Sequence, residues 1–343
     1  MERILVTGAS GFIGGFIVDE ALRRGMDVWA AVRKTSSRAW LSDQRIHFVE
    51  FNLSSEEDLR KQLDGLTFDY VVHAAGVTKC LDRRDFYNIN TEGTKNLVRA
   101  LTATGMDIRL FVYISSLSVY GPIRERQPYT EITADDKPCP NTAYGESKRQ
   151  AEMFLREYAK NVRLRYVVLR PTGVYGPRER DYFLMVKSIA RHIDFAVGYT
   201  RQDITFVYVL DVVQAIFRAI DKSKTPEADK ITGRGYFLSD GCVYSSTTFS
   251  DLIRHELGNP WCLRLTAPLW LLRAVTFFGE RIGRMTGRMS ALNDDKYNIL
   301  KQRNWRCDIS SAVNDLGYKP QYPLNEGVRL TIKWYKENGW VKR

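Results

Sequence analysis

Apolar positions in the first half of the chain fall in short blocks separated by amphipathic stretches. Residues 4–7 are one such block. It ends in a glycine turn over Gly8 to Gly14, and from Phe12 to Arg24 the apolar residues recur at helical spacing. The alternation continues. The pattern predicts strands at 27–32, 47–51, 70–73, 110–114 and 165–169, and helices at 55–63, 90–102 and 143–158. Short continuous apolar blocks are what strands buried on both sides require. Their regular exchange with helices calls for an α/β fold, a doubly wound parallel sheet covered on both faces. Past residue 170 the rhythm loosens into loops rich in Gly, Pro and Arg, although 204–221 reads as a strand running into a helix of the main domain. The expected division is a first domain of residues 1–170, rejoined by 203–224. A smaller, discontinuous C-terminal region is built from 171–202 and 225–343.

One stretch stands apart. Between Pro268 and Arg288 the chain sets Trp270, Leu271, Leu272, Val275, Phe277, Phe278 and Ile282 beside Arg273, Arg281, Arg284 and Arg288. Such a segment can cap an apolar pocket, pack as a core helix or lie on a membrane interface. The chain has 343 residues, 44% hydrophobic and 27% charged, which suits a folded globular protein. No apolar run approaches the roughly 20 residues needed to cross a bilayer. The first residues enter a strand with no room for a signal peptide, so a cytoplasmic location is expected. The five cysteines are scattered and form no Cys-x-x-Cys pair; reduced thiols and no metal site are expected. The net charge of +11 would attract phosphate-bearing ligands or an anionic membrane. No nucleic-acid-binding motif accompanies it, and no nucleic-acid partner is expected.

The turn Val6-Thr7-Gly8-Ala9-Ser10-Gly11-Phe12-Ile13-Gly14 lies between the first strand and the first helix. Glycines there permit the tight turn, the approach of backbone to a pyrophosphate and the close packing of helix on sheet. The phosphates then meet the free N–H groups at the helix start. The spacing is G-x-x-G-x-x-G, which departs from G-x-G-x-x-G. Its position at the first βα turn points to a Rossmann-type dinucleotide site. At the end of the second strand, where an acid would take the ribose hydroxyls of NAD, the chain has Val32-Arg33-Lys34-Thr35-Ser36-Ser37. A guanidinium with hydroxyls beside it suits a 2′-phosphate, so Arg33 favours NADP over NAD.

Tyr144 and Lys148 are four residues apart and share one face of a helix. An ammonium beside a phenol favours the phenolate, which lets the tyrosine exchange a proton with a substrate oxygen near neutral pH. Tyr297 and Lys301 repeat the spacing. Only Tyr144 follows a strand ending in Ser115-Ser116-Leu117-Ser118-Val119-Tyr120-Gly121, at the sheet edge where ligands bind in this architecture.

With these motifs the chain resembles the extended short-chain dehydrogenase/reductase superfamily, in its NAD-dependent epimerase/dehydratase group. The likeness runs through His73-Ala74-Ala75-Gly76, Asn90-Thr91-Glu92-Gly93-Thr94, Ser116 before Val119-Tyr120-Gly121, Arg170-Pro171-Thr172-Gly173-Val174-Tyr175-Gly176-Pro177 and Phe206-Val207-Tyr208-Val209-Leu210-Asp211-Val212. The resemblance implies Ser116, Tyr144 and Lys148 as catalytic. It implies a cofactor held by Gly8, Ser10, Gly11, Phe12, Ile13, Gly14, Arg33, Asn52, Leu53, Ala74, Ala75, Gly76, Asn90, Tyr144, Lys148, Pro171, Gly173 and Val174. It also implies a homodimer and a C-terminal region that binds a small-molecule substrate. Asn52 stands where the family usually carries Asp beside the adenine. His73, at a strand end under the cofactor, reads as structural.

Sugar-nucleotide 4,6-dehydratases of this group carry Asp-Glu directly after the catalytic Thr. Leu117 and Ser118 occupy those places and cannot act as acid and base. An epimerase with retained NAD needs only the Tyr/Ser/Lys set, and Arg178, Arg180, Arg191 and Arg201 offer charge for a diphosphate. The aromatic stretch at 268–288, with Trp305-Arg306-Cys307-Asp308 and the ending through Trp334-Tyr335, looks similar to bacterial relatives of β-hydroxysteroid dehydrogenases. The reading is therefore an NAD(P)-dependent oxidoreductase acting on a secondary alcohol or ketone. An epimerase is the alternative, and a non-catalytic NAD(P)-sensing regulator is the alternative of another class.

Overall fold

The computed structural model describes residues 1–286 and 293–341. Its strands are β1 (Arg3–Thr7), β2 (Asp27–Val32), β3 (His47–Glu50), β4 (Tyr70–His73), β5 (Leu110–Ile114), β6 (Tyr166–Pro171), β7 (Gly173–Tyr175), β8 (Ile193–Val197), β9 (Asp203–Ile204), β10 (Phe206–Tyr208), β11 (Gly235–Leu238), β12 (Tyr244–Ser245) and β13 (Leu263–Ala267). Its helices are α1 (Phe12–Arg23), α2 (Glu56–Leu63), α3 (Arg83–Phe86), α4 (Gly93–Ala103), α5 (Ala143–Tyr158), α6 (Asp181–Ile189), α7 (Val209–Ser223), α8 (Ala228–Ile231), α9 (Thr248–Glu256), α10 (Leu269–Thr286), α11 (Asp294–Lys301), α12 (Ser310–Leu316) and α13 (Leu324–Glu337). The order β3-β2-β1-β4-β5-β6-β11 makes one parallel sheet, the expected α/β, Rossmann-type fold.

Side-chain alternation divides each strand between two cores. Ile4 and Val6 join Val72, Val112 and Ile114 under α1 and α7, whose Ile17, Val213, Ile216 and Ile220 cover that face. Leu5, Val71, Phe111 and Tyr113 face the other way, onto Leu59 of α2, Leu97 and Leu101 of α4 and Leu155 of α5. The direction of chain flow reverses between β1 and β4, the switch point where such sheets leave a ligand crevice.

The region past residue 225 sends a strand back. β11 pairs with β6 and closes that edge of the sheet, so residues 235–238 lie with the first domain. Outside the sheet, Tyr175, Phe206, Tyr208, Phe249, Leu324, Val328, Ile332 and Tyr335 form a separate aromatic core. Asp211 at the start of α7 anchors this region. Its buried carboxylate accepts the N–H groups of Gln321 (2.9 Å) and Tyr322 (3.2 Å). The helix expected from Asn90 begins instead with a π-helical turn, Tyr87–Glu92, before α4. Of the aromatic stretch noted above, Arg288 and the side chains of Ile282 and Arg284 lie outside the described residues.

Candidate active site

Because the sheet is parallel, the carboxyl ends of β1, β4, β5 and β6 open on the same edge. Gly8 follows β1 with φ +70°, and a Cβ there would come within 2.6 Å of the Ala75 nitrogen. Gly14, in the first turn of α1, lies so close to the Gly8 carbonyl that a side chain would collide with it. The two glycines thus let the first turn and the Ala74–Ala75 segment meet over the strand ends. Gly11 caps α1 without a side chain, which leaves the helix's first N–H groups directed out of the turn, with Ser10, Phe12 and Ile13 around them.

Beneath this turn His73 is fully buried. Its Nδ1 lies 2.6 Å from Thr7 Oγ1 and its Nε2 lies 2.9 Å from Thr94 Oγ1. Thr94 already donates its proton to the Asn90 carbonyl (2.6 Å), so it accepts from His73, which must carry hydrogen on Nε2. Burial, with repulsion from Lys148 behind it, pushes the imidazole down to about 3. His73 is a neutral structural strut.

Ser116 lies two residues past the end of β5 and caps a 3₁₀ turn, Leu117–Val119. Its Oγ accepts the Ser118 N–H (3.1 Å), which leaves its own proton to donate. Tyr144 and Lys148 occupy one face of α5. Lys148 is buried, donates Nζ–H to the Ile114 carbonyl (2.8 Å) and sits 4.8 Å from the centre of the Tyr113 ring. Desolvation pushes the ammonium down to about 8, against an opposing pull from Glu152. The expected depression of Tyr144 by Lys148 is not what the geometry yields. Burial raises the phenol above its ordinary value, and the opposing influence is a hydrogen bond with Ser116. One of the three Lys148 N–H donors goes to the Ile114 carbonyl instead. Gly76 leaves the space beside Lys148, since a Cβ there would stand 2.9 Å from Asn90 Oδ1 and 3.2 Å from Lys148 Nζ. Asn90 accepts from the Val77 N–H (2.8 Å) and donates to the Val77 carbonyl and to Ser147 Oγ (both 3.0 Å), tying the loop after β4 to α5.

Four residues whose roles sequence reasoning missed hold these parts together. Glu152, one turn beyond Lys148, takes a bidentate bond from Arg170 (Nη2 2.7 Å, Nε 3.0 Å) and a bond from Ser115 Oγ (2.5 Å). All three are buried. The cluster joins α5, the end of β5 and the end of β6, which are the elements carrying Tyr144, Ser116 and Pro171. The fourth residue is Asp295 of α11. Its carboxylate accepts the N–H groups of Ala143 and Tyr144, both at 3.2 Å, and so caps the helix that bears the tyrosine. Nothing local marks either group, since the partners lie 18 to 152 residues away.

The remaining candidates lie around this centre. Pro171 ends β6, and Gly173 and Val174 run in β7 beside β10. Arg33 is exposed after β2, where its N–H donates to Ser36 Oγ (3.1 Å). Asn52 donates to Asp58 (3.2 Å), and Leu53 gives its carbonyl to Asn96 (2.9 Å). Two of the arginines offered for a diphosphate are engaged. Arg178 bonds Asp19 (3.1 Å) and lies over the rings of Phe16 and Trp40, and Arg201 bonds Asp203 (2.8 Å). Tyr297 sits between the cations of Arg273 and Lys301, each 5.1 Å from its ring centre.

The family model for the NAD-dependent epimerase/dehydratase family matches residues 4–232, well over half of the chain. The chain belongs to that family. It is thus an enzyme of the extended short-chain dehydrogenase/reductase kind. Among similar proteins, sterol-4-alpha-carboxylate 3-dehydrogenase (decarboxylating) of Candida albicans is 25% identical, with 98% of this chain and 99% of that one covered. UDP-glucose 4-epimerase of Vibrio cholerae is 27% identical over 97% of this chain and 95% of its own. In fold, the chain is similar to the UDP-glucose 4-epimerase of Thermotoga maritima, with TM-score 0.78, 21% identity and coverage of 98% and 99%. It is also similar to the NAD-bound UDP-glucuronic acid 4-epimerase of Bacillus cereus, with TM-score 0.76, 22% identity and coverage of 98% and 99%. The residues present fit the family's dinucleotide. The glycine turn leaves backbone N–H groups unobstructed at the α1 terminus, and Gly76 keeps a side-chain-free space beside the Lys148 ammonium.

Proposed function

We propose that the protein is an NAD(P)-dependent oxidoreductase acting at a secondary alcohol or ketone, with Tyr144 as its acid and base. The observation that carries this reading is that Ser116, just past the end of β5, lies by the helix on which Tyr144 stands one turn from the buried Lys148, whose Nζ–H reaches the Ile114 carbonyl at the same strand end. Ser116 donates to the reacting oxygen. Tyr144 takes the proton of an alcohol or returns one to a ketone. Lys148 presents its ammonium to the nicotinamide ribose, and Gly8, Ser10, Gly11, Phe12, Ile13 and Gly14 receive the pyrophosphate. Ala74, Ala75, Gly76, Asn90, Pro171, Gly173 and Val174 line the crevice between them, with Asn52 and Leu53 on the adenine side. The cofactor, when bound, supplies the carbon that gives or receives hydride. Residues 171–202 and 225–343, apart from β11, form the substrate side.

Arg33 supports a preference for NADP, because no acid follows β2 and an exposed guanidinium beside Ser36 matches a 2′-phosphate. An epimerase with retained NAD is the second reading, favoured by the near full-length likeness to UDP-glucose 4-epimerase. Against it, Arg178 and Arg201 are already neutralised within the chain.

Denaturing the purified protein and identifying released nucleotide by mass spectrometry separates the readings, followed by titration of emptied protein with both cofactors. Empty protein preferring NADP supports the oxidoreductase; stoichiometric NAD supports the epimerase and removes the role given to Arg33. Tyr144→Phe should lower turnover by about 10²–10⁴-fold with cofactor binding retained. Undiminished turnover would remove Tyr144 from the mechanism.

A further inference from the structure

β8 and β13 form a two-stranded parallel ribbon away from the main sheet, with Ile193 opposite Leu263, Asp194 opposite Arg264 and Phe195 opposite Leu265. A strand that covers a core turns its apolar alternation inward. This ribbon does the reverse. Asp194 is buried and takes a bond from Arg264 (2.7 Å), which also reaches Asp251 (2.5 Å). Ile193, Phe195, Leu263 and Leu265 are exposed, with Phe195 at 60%. Trp261 (75%) and Tyr199 (78%) stand at its ends, and Tyr199 is pinned there by a bond to the Thr266 carbonyl (3.2 Å).

Through Pro268 the ribbon runs directly into α10. On that helix Leu272 and Thr276 are buried, while Trp270 (72%), Leu271, Val275, Phe277 and Phe278 (60%) are exposed. At about 100° per residue the exposed apolar positions cover an arc of roughly 160°, an amphipathic face whose large apolar side chains stay exposed among the described residues. The aromatic core of the C-terminal region, around Phe249 and Tyr335, uses none of these side chains.

Of the described arginines around the platform, Arg264 is paired with Asp194 and Asp251 and Arg273 with Asp294. Arg191 and Arg254 are exposed and have no ion pair among the described residues, and Arg281 lies 4.6 Å from the Phe277 ring centre. Tryptophan and tyrosine at the rim, leucine and phenylalanine within it and arginine around it are the composition of a surface that rests in the headgroup layer of an anionic bilayer. No described helix is long and apolar enough to cross one.

We infer that the β8–β13 ribbon and α10 form a docking surface for an anionic phospholipid bilayer, on which the enzyme sits peripherally. The inference does not depend on which reaction the site performs. It also gives the site a route to lipid-borne substrates. Arg273 of α10 bonds Asp294 (2.7 Å), and the next residue, Asp295, holds the start of the helix carrying Tyr144.

The test is flotation of the full-length chain, without substrate or cofactor, on vesicles of phosphatidylglycerol and phosphatidylcholine in equal parts, and on phosphatidylcholine alone. The expected result is binding to the anionic vesicles that weakens at high salt and falls at least tenfold in the exposed-surface variant F195S/W270S/F278S. Brominated lipid should quench the wild type more than W270F, a comparison that needs only one mild substitution. Absence of vesicle binding in the wild type overturns the inference. So does vesicle binding that the triple variant retains while folded. So does a concentration-dependent dimer, seen by sedimentation, that the same substitutions abolish, because the covering partner would then be a second copy of the chain.

Discussion

The buried cluster of Ser115, Glu152 and Arg170 offers the sharpest test of how the site is held. Arg170→Met removes the guanidinium and keeps most of the side-chain volume between the rings of Tyr120 and Phe237, which it now faces at 5.4 and 5.7 Å. Glu152 is left with Ser115 as its donor, and the side chains of the pair are only 6% and 8% exposed, so water cannot replace the lost bonds. Breaking a buried pair from one side costs about 3–5 kcal/mol. For a domain whose whole stability is of order 5–15 kcal/mol, that is a large share. Guanidinium unfolding followed by far-ultraviolet circular dichroism would measure it. The companion variant R170M/E152L leaves no carboxylate stranded and should recover much of the loss, less what Lys148 forfeits with the attraction of Glu152, because replacing both partners of a pair with apolar groups is often close to neutral. A single variant within about 1 kcal/mol of wild type would refute the reasoning, because such a value is typical of exposed pairs. So would a double variant no better than the single one, which would mean that lost packing rather than the stranded carboxylate sets the cost.

Three further outcomes follow from the geometry. Lys148 titrates near 8 because burial disfavours its charge, so activity should fall as pH rises through about 8 while the fold holds. The sign separates the two effects: deprotonation between about 8 and the ordinary 10.5 relieves the buried charge and raises stability, so activity lost there is not unfolding, and a circular-dichroism melt at each pH checks it. Asp295→Ala should cost about 0.5–2 kcal/mol, as a lost helix cap does, and lower turnover more than cofactor affinity, because it frees the turn bearing Tyr144; equal losses in both would count against a positioning role. Gly8→Ala places a side chain against the Ala74–Ala75 backbone at positive φ and should abolish cofactor binding in a titration, where a merely weakened protein would still bind.

The sequence by itself determined the sheet and the location of the crevice. Strand blocks such as 27–32, 70–73 and 110–114 are legible because residues buried on both faces leave no choice but continuous apolar runs, and the observed strands have those bounds. The spacing of Tyr144 and Lys148 is equally local, since the helical period alone puts them on one face. The aromatic residues of the C-terminal half defeated that kind of reading. Tyr335 and Phe249 are buried and Trp270 and Phe278 are exposed, yet nothing in composition separates them. Burial depends on what arrives from elsewhere in the chain, and that is a property of the tertiary structure. The same holds for β11, a short strand whose place beside β6 is set by a crossover more than 60 residues long. It holds for Arg170, which sequence shows as one more cation and the fold makes a buried partner of Glu152. It holds for the ionisation of Tyr144 and Lys148. Local spacing placed the ammonium near the phenol, but the desolvation of both, and the competing carbonyl of Ile114, come from strands folded around them.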